Sequence, residues 1–520
     1  MDNEATGGVE LGEHTELGSS SARRDLSGFP LPVRLSKSKM IAGRQCERRI
    51  WLEVNRPDLR EFNDAQSARL SQGIAFGELA RGLLGTGELV ECGFDVPAAL
   101  SRTTDLLGAS RPPRHLFEAA LCHRNVFVRV DALRRVGQRF DLIEVKAGVR
   151  VKDYFLDDCA VQTWVARGAG IDIRRTQLAL VNRDFVYARE GDYSGLLRLV
   201  DVSALIEARI AQAPAWLRRF RTVLAGSQPA IATGAHCSSP YGCPFIDHCQ
   251  QGEAPGPEFP LSLLPNGAAL GQRLAIAGYS DLRKVPSELL TRVQHQRMAQ
   301  ASRTGQATID PALRKELAAL PYPRRYLDFE SIQFTVPRWL GTQPFDQVPF
   351  QWSCRIEKSP AELESKSFLD VSGSDPRREF AERLVKACGK RGPIVVYNRS
   401  FEASVIAALA RQFPHFADAL SAINERLVDL LPLMRKHYYH PNMRGSWSLK
   451  SVLPAVVPEL CYDNLGEVAD GQAAQSAYVE AIDPATAPTR RTALKHSLLR
   501  YCERDTEGLL AIVRRLSGDH

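Results

Sequence analysis

The chain has 520 residues, 44% of them hydrophobic and 24% charged, so it exceeds one ordinary core and divides into two or more globular units. It holds no run of about 18 apolar residues, which excludes a membrane-spanning helix. A net charge of +7 suits a polyanionic partner without requiring one, and 11 cysteines, odd in number and scattered, exclude an extracellular disulfide framework.

Residues 1–30 are polar, Gly/Ser-rich and without the basic and apolar regions of a signal peptide, so a disordered tail on an unexported chain is expected. Residues 34–60 predict a helix with Ser36 or Ser38 as its cap, and 66–84 predict a second. Then the period changes to two. Val126, Val128 and Val130 share a strand face, Gly137 supplies a turn, and Leu142, Val145 and Ala147 belong to the returning strand. A helix over 153–169, a strand over 174–187 and a helical stretch over 196–230 follow. Next comes the loop-rich "HCSSPYGCPFIDHC", and "QGEAPGPEFPLSLLPNG" reads as a linker. Two short helices surround "AGYSDLRKVP" between 267 and 300. This gives units at 34–252 and 320–520, joined by a linker and helical segment at 253–319.

Three groups of residues carry chemistry. Cys237, Cys243 and Cys249 have five residues between each and turn-forming Pro240, Gly242 and Pro244 among them, a spacing that brings thiolates round a soft metal. The fourth ligand is His236, His248 or the distant Cys46. On the returning strand Glu144 and Lys146 are two apart and share a face, with Asp131 on the partner strand. Two carboxylates can hold Mg²⁺, and a neighbouring ammonium can orient water or offset developing phosphorane charge. The third group is more dispersed. Asp328 and Glu330 share a strand face in "RRYLDFES"; the strand 394–397 leads through Asn398 to a helix carrying Glu402; and Tyr501 and Asp505 stand one turn apart in "YCERDTEGLL". Such carboxylates can hold two divalent cations about 3.5–4 Å apart, with the tyrosine hydroxyl placing a water.

The segment from 36 to 250 resembles the PD-(D/E)XK nuclease superfamily, in particular RecB-like and CRISPR-associated nucleases with one cysteine before the core and three after it. The resemblance implies that Cys46, Cys237, Cys243 and Cys249 ligate a [4Fe–4S] cluster, with Zn²⁺ as the alternative. It also implies that Asp131 and Glu144 bind metal, Lys146 is catalytic, Glu78 is the upstream acidic residue and Gln162 the glutamine of the following helix. Position 78 is Glu where many relatives carry His. Residues 321–516 resemble the DEDD exonucleases of the ribonuclease H-like fold, tyrosine subtype, with Glu402 where Asp is usual. Asp328, Glu330, Glu402 and Asp505 are then metal ligands and Tyr501 catalytic, while Asp429 marks a strand end and "GSWSLKSVLP" a helix of that fold. The whole arrangement is similar to an uncharacterised bacterial family known only as a domain of unknown function.

The expected fold is therefore α/β, a PD-(D/E)XK core followed by a ribonuclease H-like (DnaQ-type) three-layer domain. The expected activity is that of a Mg²⁺- or Mn²⁺-dependent nuclease with a RecB-like centre and a 3′-to-5′ exonuclease-like centre. DNA is favoured over RNA, no membrane is involved, and the cytoplasm is the natural compartment. The alternative is a nucleic-acid-binding or scaffolding protein on inactive nuclease folds. "LAIAGYSDLRKVPSELL" also resembles a helix-hairpin-helix that holds phosphates, with helix packing as the competing explanation. Arg324, Arg325, Arg444, Trp447 and Lys450 either line a strand channel or form a solvated face.

Overall fold

Alternation of buried Val126, Val128 and Val130 with partly exposed Phe127 and Arg129 builds the centre of the first sheet. The computed structural model describes residues 35–61, 64–253, 255–462 and 465–518, and the expected tail over 1–30 lies outside them. Seven strands form this sheet: β1 Leu35–Ser36, β2 Glu88–Leu89, β3 His115–His123, β4 Val126–Val136, β5 Arg139–Lys146, β6 Ile173–Val181 and β7 Leu197–Asp201. Their order is β2-β3-β4-β5-β6-β7, with β1 on β4. β3, β4 and β5 run antiparallel, β6 lies parallel to β5, and β7 returns antiparallel. Helix Asp153–Gly168 covers the sheet and helix Ser203–Ala225 packs on it, burying Leu116, Val128, Leu142, Val161, Leu217 and Phe220 together.

Three expectations are corrected here. The stretch 34–60 is not one helix but Lys37–Gln45 and Glu47–Asn55, broken where Cys46 takes extended backbone, φ −161° and ψ 131°. The apolar spacing continues through the break, so periodicity cannot see it. The stretch 196–230 opens as edge strand β7 before its helix starts at Ser203, because five residues are too few for a period to separate strand from helix. The predicted strand 174–187 also ends early, at Val181.

The second sheet contains β9 Arg324–Gln333, β10 Gln347–Ser359, β11 Glu362–Leu369, β12 Ile394–Val396 and β13 Leu427–Asp429, in the order β11-β10-β9-β12-β13. β11, β10 and β9 are antiparallel, and β12 and β13 continue parallel. A minor pair, β8 Thr308–Ile309 and β14 Tyr438–Tyr439, stands apart. Leu327 and Phe329 point into one core with Phe380, Leu384, Val405 and Ile406 from helices Arg377–Cys388 and Ser400–Gln412. Period two then sends Asp328 and Glu330 to the opposite face, which helix Pro488–Ser517 crosses.

The segment between the sheets is packed into this second body. Leu261, Leu274, Leu282, Val285, Leu290 and Met298 are buried with Tyr326, Phe350 and Trp447, and Gly278 takes φ 90° at the turn that follows helix Ala268–Ile276. The two bodies touch where the Tyr187 amide donates to the Thr342 carbonyl at 2.9 Å and the Gly341 amide donates to the Tyr187 carbonyl at 2.8 Å. Among the described residues no helix is long and apolar enough to cross a membrane.

Candidate metal centres

On the second sheet, Asp328, Glu330 and Asp505 each offer a carboxylate oxygen, and these atoms lie within 4.8 Å of one another. Strand β9 supplies two of them and helix Pro488–Ser517 the third. The helix is pinned to β10, the neighbour of β9, at three levels: Gln351 Nε2 donates to the Leu498 carbonyl at 2.7 Å, Ser353 Oγ and Thr506 Oγ1 meet at 2.8 Å, and Arg514 Nε donates to Glu357 at 2.6 Å. Gly508 lets helix Leu449–Val456 approach closely, since a Cβ there would stand 2.7 Å from Leu453 Cδ2. That approach brings Lys450 over the rings of Tyr501 and Tyr462, at 5.5 and 5.6 Å from their centroids. The hydroxyl resting on Asp505 belongs to Tyr462, which donates to Oδ1 at 2.5 Å.

Glu402 stands outside the tight set of three but within electrostatic reach of Asp328 and Glu330. Its helix starts after Asn398, a left-handed residue at φ 70°, a conformation that asparagine tolerates. The amides of Asn398 and Arg399 donate to Asp429 at 3.0 and 3.1 Å. Glu402 is buried, and its Oε2 has no hydrogen-bond partner among the described residues. Burial pushes its carboxyl up to about 8, and burial likewise raises Asp505 to about 6. Asp328 and Glu330 are raised well above the usual carboxylate range by burial and by the neighbouring acids. An orphaned buried oxygen beside three converging carboxylates is a donor set suited to a hard divalent cation.

A pH dependence follows. Folded-state values raised above the unfolded ones mean that the folded chain holds extra protons, so this cluster's contribution to stability is full below about pH 4 and is lost as pH rises through 6 to 8. In EDTA, the difference in Tm between wild type and the Asp328→Asn/Asp505→Asn double variant is expected to move in the variant's favour from pH 5 to pH 8. Mn²⁺ is expected to stabilise wild type more at pH 8 than at pH 5. Scanning fluorimetry at both values checks this, and equal Mn²⁺ shifts would contradict it.

The first centre is built differently. Asp131 on β4 leaves the ladder: its Oδ2 accepts the Val145 amide at 2.6 Å. Opposite it Glu118 adopts φ 53°, a strained conformation for a side chain other than Asn, Asp or Gly. Both acids, with Glu78, Arg81, Glu144 and Lys146, line an open cavity of about 400 Å³. Glu78 is exposed on its wall, whereas Glu144 is buried. Glu144 Oε1 accepts Lys146 at 2.7 Å and Lys37 at 2.8 Å, and Oε2 accepts Gln162 Nε2 at 2.6 Å. Burial works against ionisation, yet the ammoniums of Lys146 and Lys37 hold the Glu144 carboxyl well below its usual range. Asp131 goes the other way, pushed up to about 8 by burial and by the Glu144 charge. The surroundings thus favour ionisation of Glu144 and disfavour that of Asp131.

Cys46, Cys237, Cys243 and Cys249 line one narrow chamber, walled by Leu52, Phe245 and Ile246, with Arg48 and Arg49 at its rim. Gln45 Nε2 closes the loop by donating to the carbonyls of His236 and Tyr241 at 2.7 and 2.8 Å. No three of the sulfurs lie mutually within 4.8 Å among the described residues.

The proposed strand channel is corrected: Arg324, Arg325 and Trp447 are buried, and Arg444 lies over Phe259, 5.1 Å from its centroid. Arg325 donates to the Arg391 carbonyl at 2.6 Å, a structural use of its charge. Lys450 alone of that group reaches the acids, where its charge acts on Glu330 and Asp505. Residues 325–448 match a family described as a domain of unknown function, DUF2779. The match includes Asp328, Glu330, Glu402 and Asp429 and stops short of Tyr462, Tyr501 and Asp505. No curated protein matches the chain.

Proposed function

We propose that this protein is a metal-dependent nuclease that hydrolyses phosphodiester bonds, with DNA as its favoured substrate. It would use a RecB-like centre in the first body and a 3′-to-5′ exonuclease-like centre in the second. The observation that carries the reading is the set of Asp328, Glu330 and Asp505 donor oxygens within 4.8 Å of one another. The sheet order, three antiparallel strands continued by two parallel ones, supports the ribonuclease H-like reading. The β4–β5 hairpin with Asp131, Glu144 and Lys146 on one cavity supports the PD-(D/E)XK reading.

Asp328, Glu330, Asp505 and the orphaned Glu402 would hold Mg²⁺ or Mn²⁺ in the second body, and Asp131 and Glu144 in the first. When bound, such a cation supplies Lewis acidity toward water and phosphate oxygens. The chain's own contributions are distinct. Tyr462 fixes the orientation of Asp505, and Tyr501, one turn before it, lies within electrostatic reach of Asp505, Glu330 and Asp328. Lys450 limits the repulsion among the carboxylates. In the first body Gln162 and Lys146 orient Glu144. The cysteine chamber would hold a [4Fe–4S] cluster that ties the helix pair 37–55 to the loop 235–251.

Labelled single- and double-stranded DNA and RNA are incubated with the full chain and Mg²⁺ or Mn²⁺. Cleavage is expected, with Glu144→Gln removing one component and Asp505→Asn the other. Tight, salt-sensitive binding without turnover under any cation would favour the binding or scaffolding reading instead. Anaerobically purified protein is expected to be brown and to absorb near about 400 nm; a colourless, zinc-containing protein would reverse the cluster assignment.

A further inference from the structure

Two charged residues of the first body stand outside the motifs read from sequence, and their geometry gives them a task. Lys37 opens helix Lys37–Gln45, and Asp158 lies on helix Asp153–Gly168. Lys37 Nζ is 2.8 Å from Glu144 Oε1 and 3.6 Å from Asp158 Oδ1. Lys146 Nζ is 2.7 Å from the same Glu144 oxygen and bonds the other Asp158 oxygen. The four groups therefore close a square of alternating charge. Each ammonium touches two carboxylates and each carboxylate two ammoniums. All four side chains are largely buried, at 22, 2, 21 and 13% exposure for Lys37, Glu144, Lys146 and Asp158.

The square is mounted on fixed backbone. Leu35 and Ser36 pair with Val126 and Phe127 of β4, the Leu35 amide donates to the Asn125 carbonyl at 3.1 Å, and the Ser36 hydroxyl caps the Lys39 amide at 3.3 Å. Glu144 and Lys146 line the cavity, whereas Lys37 and Asp158 are absent from its wall and sit behind them. We propose that Lys37 and Asp158 are positioning residues of the first centre: they complete a neutral four-charge square that holds Glu144 and Lys146 against the cavity. This rests on the nuclease reading of that cavity. Loss of Lys37 leaves two carboxylates competing for Lys146; loss of Asp158 leaves two ammoniums on one oxygen of Glu144. Either change draws Lys146 out of place, whereas loss of both restores neutrality.

The test is a double-mutant cycle on the full chain, with the second centre silenced by Asp328→Asn/Asp505→Asn and Mn²⁺ saturating. Lys37→Met and Asp158→Asn are each expected to lower kcat by roughly tenfold to a hundredfold, with KM for the strand within about twofold of the parent. The double variant Lys37→Met/Asp158→Asn is expected to retain at least about threefold more activity than the product of the single losses. Lys37→Arg, which keeps the charge, is expected to stay nearer the parent than Lys37→Met; where Lys37→Met does not fold, Lys37→Arg against Asp158→Asn carries the comparison. Single losses that multiply without recovery, a loss expressed in KM, or a Lys37→Arg variant as damaged as Asp158→Asn would overturn the proposal. A parent chain whose cleavage is lost in Glu144→Gln but unchanged in Lys37→Met and Asp158→Asn overturns this proposal alone. A parent chain without any cleavage that depends on Glu144 overturns the nuclease reading of this cavity and the proposal with it.

Discussion

Asp328→Asn is expected to reduce cleavage by the second centre by roughly a thousandfold or more while making the cation-free protein more stable at pH 8. Both effects have one cause. Asp328 is the acid on which the other three act: burial, then Asp505, Glu330 and Glu402 in turn, raise its carboxyl. The mutual repulsion that a cation would relieve is relieved equally by removing one charge. A carboxamide has one neutral oxygen acceptor where the carboxylate has two charged ones, so the seat for a hard cation is lost with the repulsion. The experiment compares turnover of a 3′-labelled single strand, in a Glu144→Gln background, with Tm in EDTA. A variant that loses activity and also melts lower at pH 8 would mean that Asp328 serves the fold rather than a cation.

The second large effect is on stability. Glu357 on β10 is fully buried and accepts the Tyr326 hydroxyl at 2.7 Å and Arg514 Nε at 2.6 Å, with Arg324 at 3.9 Å. Tyr326 shares strand β9 with Asp328 and Glu330, and Arg514 shares its helix with Asp505. This one carboxylate therefore fixes strand against helix and, through them, Asp328 and Glu330 against Asp505. Glu357→Ala takes the buried acceptor away from both the Tyr326 hydroxyl and Arg514 Nε, beside the buried Arg324. The expected cost is about 3–5 kcal/mol, the range for breaking a buried charge network from one side. Urea unfolding measures it. A loss under about 1 kcal/mol, the value of an exposed pair, would show that water reaches the site.

How far the sequence discloses this arrangement depends on the range of the interactions involved. Period two along Tyr326 to Glu330 places both acids on one face, and the spacing of Tyr501 and Asp505 places them on adjacent turns; both are local properties of one element. The Cys46 break is invisible, because one extended residue does not disturb the spacing of its apolar neighbours. Strands β3 and β10 are hidden because near-continuous burial in "HLFEAALCH" and "QVPFQWSC" removes the alternation that marks a half-exposed strand, and β11 because its side chains are mostly exposed. Arg324 and Arg325 read as surface charges, yet the fold buries both against carbonyls and Glu357. Tyr462, Lys37 and Asp158 carried no signal at all. Their partners lie 43, 107 and 12 positions away, and only the folded chain brings them together.

The most direct measurement is anomalous diffraction from crystals of the full chain soaked in Mn²⁺. A manganese peak bounded by Asp328, Glu330, Asp505 and Glu402, with a second beside Asp131 and Glu144, is the predicted result. Ordered carboxylates with no peak among them at saturating Mn²⁺ and pH 8 would contradict the reading of these clusters as metal centres.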